Sequence, residues 1–296
     1  MPRPSYEIIR GQAKNLSPFP VCSELIQGAA YETFDTHIHF FPDKLAGKAL
    51  PKLREISQCE TYSDGTREGT LKNFAAWGCA GGMALHIATN AHQQTSVNNF
   101  AKESQGGPIY CFGSVYPYAE NALEEMRRIR EMGLYGIKFH PDYQEFFIGD
   151  EAALPLYAEA ERLGLPVAFH TGRDPLSPQL IHCPSQVLGK IADLFPKLTI
   201  IAAHMGGMET PQEAAQYLAG KKNVYFDTAF ASHFLNAAQF TELVKLHGSD
   251  RVLFATDCPW STLPAERELL EAADLSPGEK ERIAYKNAEE LFQITI

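Results

Sequence analysis

The stretch Phe34-Asp35-Thr36-His37-Ile38-His39-Phe40-Phe41-Pro42 is the part of the sequence around which the rest is organised. The aromatic residues from Tyr31 to Phe34 favour a buried strand, and Pro42 ends regular structure soon afterwards. Alternate residues of a strand share a face, so His37 and His39 point the same way. Two neighbouring imidazoles are half of a metal site, because Zn²⁺ accepts neutral imidazole nitrogen. A His-x-His pair alone is weak evidence, and other strand ends must supply the missing ligands.

Short apolar strands alternating with helices continue along the chain. Further strands are predicted at residues 81–87, 110–116, 136–140, 166–170, 198–204, 224–227 and 251–257. Helices are predicted at residues 43–57, 120–131, 152–163, 186–195, 212–218, 237–247, 264–273 and 277–292. Eight buried parallel strands favour an α/β fold of the (β/α)8 TIM-barrel type, as a single domain over residues 31–296. The alternative, a doubly wound open sheet, lacks a Gly-x-Gly-x-x-Gly motif after the first strand.

Two segments have no place in this pattern. Residues 1–30 are interpreted as an N-terminal extension of the barrel. Residues 43–72 form a long connection after the first strand, large enough to act as a lid over the barrel mouth.

Composition narrows the class of protein. The 296 residues are 45% hydrophobic and 21% charged, which is typical of a globular protein, and no apolar run is long enough for a membrane helix. The start of the sequence lacks the apolar core of a secretory signal, and the six cysteines form no C-x-x-C pair. We therefore expect a cytoplasmic protein. The net charge of −10 opposes binding to nucleic acid or anionic membranes, but not to a small anionic substrate.

Polar side chains gather at the ends of the predicted strands. They are His37, His39, His86, Lys138, His140, His170, His204, Asp227 and Asp257. In a barrel of this type the carboxyl ends of all eight strands open on one face, where barrel enzymes carry their active sites. Six of the ten histidines are therefore expected at one rim. Histidines that only packed in the core would not all lie at the same ends of the strands.

This constellation resembles the amidohydrolase superfamily. The amidohydrolase-related branch, which includes aminocarboxymuconate-semialdehyde decarboxylase and lactone hydrolases, is similar in five motifs. They are Gly136-Ile137-Lys138-Phe139-His140-Pro141, Phe169-His170-Thr171-Gly172, Ala203-His204-Met205-Gly206-Gly207, Ala255-Thr256-Asp257-Cys258-Pro259-Trp260 and Asn287-Ala288-x-x-Leu291-Phe292. The similarity runs from about Phe34 to the end of the chain.

The resemblance implies one divalent metal, Zn²⁺ above others, held by His37, His39, His170 and Asp257 with a water in the open position. Asp257 is then both ligand and general base, and His204 lies just outside the metal shell as a second catalytic residue. Binuclear relatives carry a carboxylated lysine at the end of the fourth strand. A second metal on Lys138, His170 and His204 therefore stays open as the less favoured alternative.

Other side chains at the rim are candidates for substrate binding. Lys138 and Arg173 can hold a carboxylate, and His140 and His86 can line the pocket. Asp227 is left out of the site, as a residue that bonds a neighbouring loop. The histidines at positions 182, 233 and 247 are interpreted as surface residues.

The favoured function is a metal-dependent hydrolase acting on a small carboxylated or cyclic ester or amide. A non-oxidative decarboxylase of an aromatic or dienoic acid is the alternative, because the implied ligand set serves both reactions. A non-catalytic metal-binding protein is a third possibility, with ligands but no open coordination position. A homodimer is expected only by analogy with other barrel enzymes.

Overall fold

The computed structural model describes residues Tyr31–Ile296. The predicted N-terminal extension, residues 1–30, lies outside the described residues. None of the helices in the described part has the length and apolar content of a membrane span.

The strands follow the predicted order but are mostly shorter than predicted. They are β1 Phe34–Ile38, β2 Gly81–Leu85, β3 Ile109–Phe112, β4 Ile137–Phe139, β5 Val167–Phe169, β6 Ile200–Ala202, β7 Val224–Asp227 and β8 Val252–Leu253. Several predicted strand ends are instead the start of the following loop. His204 and Asp257, for example, have φ angles of 58° and 67°, a left-handed conformation that a strand cannot contain.

The strands pair in parallel as two runs, β1-β2-β3 and β4-β5-β6-β7-β8. Backbone bonds outside the ladders join the runs at both seams. At one seam, Lys138 N–H donates to the Gly113 carbonyl (2.8 Å). At the other, Thr36 N–H donates to the Phe254 carbonyl (2.9 Å), and Ile38 bridges Cys258. The fold is the predicted (β/α)8 barrel.

Helices connect the strands. They are α1 Asp43–Ser57, α2 Arg67–Trp77, α3 Gln94–Ser104, α4 Ala122–Glu131, α5 Leu154–Leu163, α6 Ser185–Leu194, α7 Pro211–Tyr217, α8 Ala237–His247, α9 Leu263–Ala272, α10 Pro277–Glu281 and α11 Asn287–Phe292.

Helices α2 and α3 were not predicted. The residues that α3 buries include polar Gln94 and Asn98, so the apolar periodicity that reveals an amphipathic helix is weak there. The connection after β1 contains two helices, and the Thr66 side chain caps the second by accepting from Gly69 N–H. The predicted last helix is interrupted by a π-helical turn at Arg282–Lys286.

The core is divided between the two faces of the barrel wall. Ile137 and Phe139 of β4 pack in the larger cluster with residues of the surrounding helices. A second cluster contains residues from most strands, including Phe34, Met83 and Leu253, and packs on Phe292 of α11. Because strand residues alternate in direction, Lys138, between Ile137 and Phe139, points inside the barrel, where it is fully buried. The fold thus places an ionisable group inside the barrel.

Candidate metal centre and active site

Three side chains converge where β1 meets the segment after β8. The Nε2 atoms of His37 and His39 are 3.1 Å apart. The Asp257 Oδ1 atom lies 3.4 Å from the first and 3.3 Å from the second. Two ligand atoms about 2.0–2.2 Å from one ion are roughly 2.8–3.6 Å apart at ordinary coordination angles. The three separations fall within that interval, so these atoms can share one cation.

The outer nitrogens of both rings are engaged by acceptors. His37 Nδ1 contacts Asp227 Oδ2 at 2.8 Å, and His39 Nδ1 donates to the Leu85 carbonyl at 2.8 Å. A carbonyl only accepts, so His39 carries its proton on Nδ1, and the neutral ring presents a lone pair at Nε2. The Asp227 carboxylate fixes His37 in the same way. Two lone pairs facing each other need a cation between them, so the residues fit a metal.

Asp227, which the sequence analysis left out of the site as a residue that bonds a neighbouring loop, makes such a bond and also contacts His37. One carboxylate oxygen faces His37, and the other accepts from the backbone N–H of His204 (2.8 Å) and of Ala229 (3.2 Å). The carboxylate thus couples the first and sixth strand ends. Its position at the end of β7 is the feature of the sequence that could have indicated a place in the site.

His170 and His204 form a second pair of facing lone pairs. His170 Nε2 donates to the Arg173 carbonyl (3.0 Å), and His204 Nδ1 donates to the Ala229 carbonyl (3.0 Å). The remaining nitrogens, His170 Nδ1 and His204 Nε2, are 3.0 Å apart. Burial lowers the pKa of both rings, that of His170 to about 4, which disfavours a shared proton. Within the described part of the chain, the group of close ligand atoms formed by His37, His39 and Asp257 does not include His170.

Lys138 lies between the strand ends, inside the barrel. Its Nζ atom is 3.2 Å from His37 Nε2, the nitrogen that also faces Asp257. Burial lowers the pKa of Lys138 to about 8, while the charges of Asp227 and Asp257 oppose that change. The lysine is therefore a buried ionisable group beside the candidate metal ligands.

A second group lies at the ends of β4 and β5. Asp174 Oδ2 is 3.6 Å from Nε2 of His140 and 3.6 Å from Nε2 of His170. The two rings stack, with centroids 4.3 Å apart and planes at 13°. Nearly parallel rings cannot direct both in-plane lone pairs at one ion about 2 Å away. This group is consequently better suited to hydrogen bonding than to metal binding.

The two remaining predicted substrate-binding residues lie outside these groups. The Arg173 side chain is exposed and donates to the Pro178 carbonyl at 3.2 Å. The His86 ring is buried between Phe40 and Phe100, at centroid distances of 5.2 and 5.3 Å. Within residues Tyr31–Ile296, no group forms a hydrogen bond with His86 Nε2.

Backbone strain and shifted pKa values both occur at the candidate site. His204, Met205 and Asp257 hold positive φ angles, which cost energy for residues other than glycine. Burial raises the pKa of Asp257 well above its usual range. Burial, together with the charge of Lys138, lowers the pKa of His39 to about 3. Such perturbations are typical of functional sites.

Further polar residues at the rim escaped the sequence analysis. Asp174 and Tyr143 follow the fifth and fourth strand ends by a few residues, too far for strand alternation to predict their direction. His182 and His247 are not surface residues, contrary to expectation. His182 pairs with the buried carboxylate of Asp142 (2.8 Å), and His247 stacks on Phe226 with centroids 3.8 Å apart.

Comparisons with known proteins identify the family and the fold. The profile of the amidohydrolase family matches residues 34–294. A gamma-resorcylate decarboxylase of Rhodococcus jostii is 27% identical, over 58% of this chain and 67% of that protein.

Two solved structures resemble the fold. One is a 5-carboxyvanillate decarboxylase of Novosphingobium aromaticivorans complexed with manganese, at a TM-score of 0.68, 17% identity and coverage of 90% and 97% of the two chains. The other is an uncharacterised TIM-barrel protein of Bordetella bronchiseptica, at a TM-score of 0.72, 20% identity and coverage of 88% and 98%. Barrel, converging ligands and family profile together lead to one conclusion: the chain belongs to the amidohydrolase family.

Proposed function

We propose that this protein is a metal-dependent decarboxylase of small hydroxylated aromatic carboxylic acids. The convergence of His37 Nε2, His39 Nε2 and Asp257 Oδ1 beside the buried Lys138 ammonium carries the proposal. A largely buried site with cationic and metal-binding groups is suited to holding an anionic acid while it loses its carboxylate.

The expectation of a hydrolase was wrong. The relatives with named activities are decarboxylases of gamma-resorcylate, 5-carboxyvanillate and 2,6-dihydroxybenzoate, and they favour the alternative reading. The implied ligand set serves both reactions, so the strand-end residues alone could not distinguish them. The distinction depends on the groups that surround the substrate.

His37, His39 and Asp257 would hold one divalent metal. The His170 Nδ1 atom is the candidate for a fourth ligand, because its outer nitrogen is already committed to the Arg173 carbonyl. A bound divalent cation supplies positive charge that binds and orients the oxygen atoms of the acid. Manganese in the solved relative supports a divalent ion, and Zn²⁺ suits the imidazole ligands equally.

The protein's own groups account for the other requirements. Decarboxylation replaces a carbon–carboxylate bond by a carbon–hydrogen bond, so the ring carbon gains one proton as CO₂ leaves. Asp257 is the proposed relay for that proton, because burial raises its pKa and so favours uptake of a proton by the carboxylate for delivery to the ring carbon. Lys138, beside His37, offers a positive charge to the substrate anion, and His204 offers a ring nitrogen beside His170.

The test combines metal counting with a substrate screen. The purified protein is loaded with Mn²⁺ or Zn²⁺ and incubated with 2,6-dihydroxybenzoate and 5-carboxyvanillate, with lactones and amides as comparison. We expect CO₂ release with formation of the decarboxylated phenol, dependent on metal. Hydrolysis of a lactone or amide, without CO₂ release from any aromatic acid, would reject the proposal.

Metal stoichiometry separates one ion from two. We expect one equivalent in the wild type and in His204→Ala, with lost rate in the variant, and loss of the ion in His37→Ala. Two equivalents in the wild type, one of them lost in His204→Ala, would establish the binuclear alternative.

A further inference from the structure

Tyr143 is a residue of the barrel mouth that neither the metal centre nor the proposed proton transfer uses. It lies in the loop after β4, and its ring packs edge-on against the His140 ring, with centroids 4.4 Å apart and planes at 87°. His140 in turn stacks on His170. Tyr143 is thus joined to the candidate metal centre through two consecutive ring contacts.

The neighbouring residue holds this loop rigidly. Gln144 is fully buried, and its Oε1 accepts from the His140 N–H at 2.9 Å. Its Nε2 donates to the carbonyls of Ala88 (2.8 Å) and Val115 (2.9 Å), which follow β2 and β3. Three hydrogen bonds therefore fix the backbone on which Tyr143 is carried, so its position is set by the barrel.

The Tyr143 hydroxyl makes no hydrogen bond to any residue in the described part of the chain, although the side chain is largely buried. Burial raises the pKa of Tyr143, and the negative charges of Asp174, Asp257 and Asp142 add to the effect. The phenol consequently stays protonated and keeps its capacity to donate.

Asp174 offers the complementary acceptor. Its Oδ1 accepts from the Leu176 N–H at 2.7 Å, whereas Oδ2 has no hydrogen bond within residues Tyr31–Ile296. Both Asp174 and Tyr143 border the same His140 ring. A free donor and a free acceptor beside one ring match a group that both accepts and donates, as a hydroxyl does.

We propose that Tyr143 and Asp174 together recognise a phenolic hydroxyl on the aromatic ring of the substrate. Tyr143 donates a hydrogen bond to the hydroxyl oxygen, and Asp174 accepts a hydrogen bond from the hydroxyl group. This inference rests on the proposed function for its ligand class, and it assigns the selection of hydroxylated over unsubstituted aromatic acids to these two residues. A site built to bond a hydroxyl discriminates against the analogue that lacks it.

Calorimetric binding to the metal-loaded protein tests the inference without requiring turnover. The probes are 2,6-dihydroxybenzoate and benzoate. Tyr143→Phe and Asp174→Asn are each expected to raise the Kd of the dihydroxy acid about tenfold and to change that of benzoate less than about twofold. The matched control is Tyr135→Phe, which removes a hydroxyl just before β4, at the other end of that strand.

The outcomes are separable. Preserved discrimination in Tyr143→Phe, equal weakening of both ligands, or loss of bound metal in either variant would overturn the assignment. Absence of discrimination in the wild type would overturn it as well. If the wild type discriminates and releases no CO₂, the proposed decarboxylation fails while the recognition of the hydroxyl stands.

Discussion

At the level of single residues, backbone carbonyls decide which nitrogen of each imidazole is free. Leu85, Arg173 and Ala229 each present a carbonyl to one ring nitrogen, so the proton of that ring is held on the outer side. The inner nitrogens are then left with lone pairs that face one another. Residue types alone could not predict this arrangement, because it depends on loop carbonyls from distant parts of the chain.

Asp227→Asn tests the carboxylate behind His37. The amide loses the charge that holds the His37 proton on Nδ1, so we expect metal affinity to fall by about 10–100-fold with the fold intact. Competition with a chelator measures the affinity. Asp193→Asn, at an exposed carboxylate paired with Lys221, is the control and should leave affinity unchanged. Equal affinities in all three proteins would show that Asp227 does not tune the ligand.

At the level of elements, the loop after β4 depends on Gln144. Replacement by Leu keeps the volume approximately but leaves the His140 N–H and two carbonyls without partners. We expect a loss of about 3 kcal/mol or more in the free energy of unfolding, measured by urea denaturation. Gln179→Leu, at an exposed position of the next loop, should have little effect. A stability within about 0.5 kcal/mol of the wild type would contradict the anchoring role of Gln144.

Helix α9 carries a buried carboxyl that ties two loops together. Glu266 accepts from the Ser232 N–H (2.9 Å) and from the hydroxyls of Ser232 (2.7 Å) and Ser261 (2.6 Å). Burial nevertheless raises its pKa from 4.5 to about 8. Between these values the native state binds more protons than the unfolded state, so this group's contribution to stability falls as pH rises.

Glu266→Gln should remove that pH dependence, because the amide resembles the protonated acid. Relative to the wild type, the variant is expected to gain about 1 kcal/mol or more in unfolding free energy between pH 5.5 and pH 8.5. Urea midpoints at both pH values measure the difference. A decrease in the unfolding free energy of the variant relative to the wild type over the same pH range would show that Glu266 is ionised in the native protein at neutral pH.

At the level of the whole molecule, the alternation of strands and helices predicted the barrel because it depends on local patterns. The predicted site residues His37, His170, His204 and Asp257, at the ends of four different strands, lie near one another at one rim for the same reason. Asp227 and Tyr143 were omitted for another reason. Asp227 lies at a strand end, but its contacts with His37 and His204 join distant parts of the chain, and Tyr143 lies in the loop after β4. The choice between hydrolysis and decarboxylation was inaccessible for that reason too.

A substitution at Phe292 tests whether packing inside the barrel affects metal binding at its rim. The ring packs on Phe112, with centroids 5.8 Å apart, within the cluster inside the barrel. Phe292→Ala should cost about 3–5 kcal/mol of unfolding free energy. Bound metal per folded chain should stay unchanged, and elemental analysis would check this. Loss of metal at equal folded fraction would show that the interior packing sets the ligand geometry.

The seam between β1 and β8 has a consequence for the integrity of the fold. Asp35 accepts from Thr256, 221 positions later, and His37 and Asp257 meet at the same place. A cation held there would act as a reversible cross-link between the first and last strands of the barrel. If it also stayed bound to the unfolded chain, it would lower the conformational entropy of that chain. Stripping it with a chelator should therefore loosen the first and last strands ahead of the middle ones, a sequence of events that hydrogen exchange can follow.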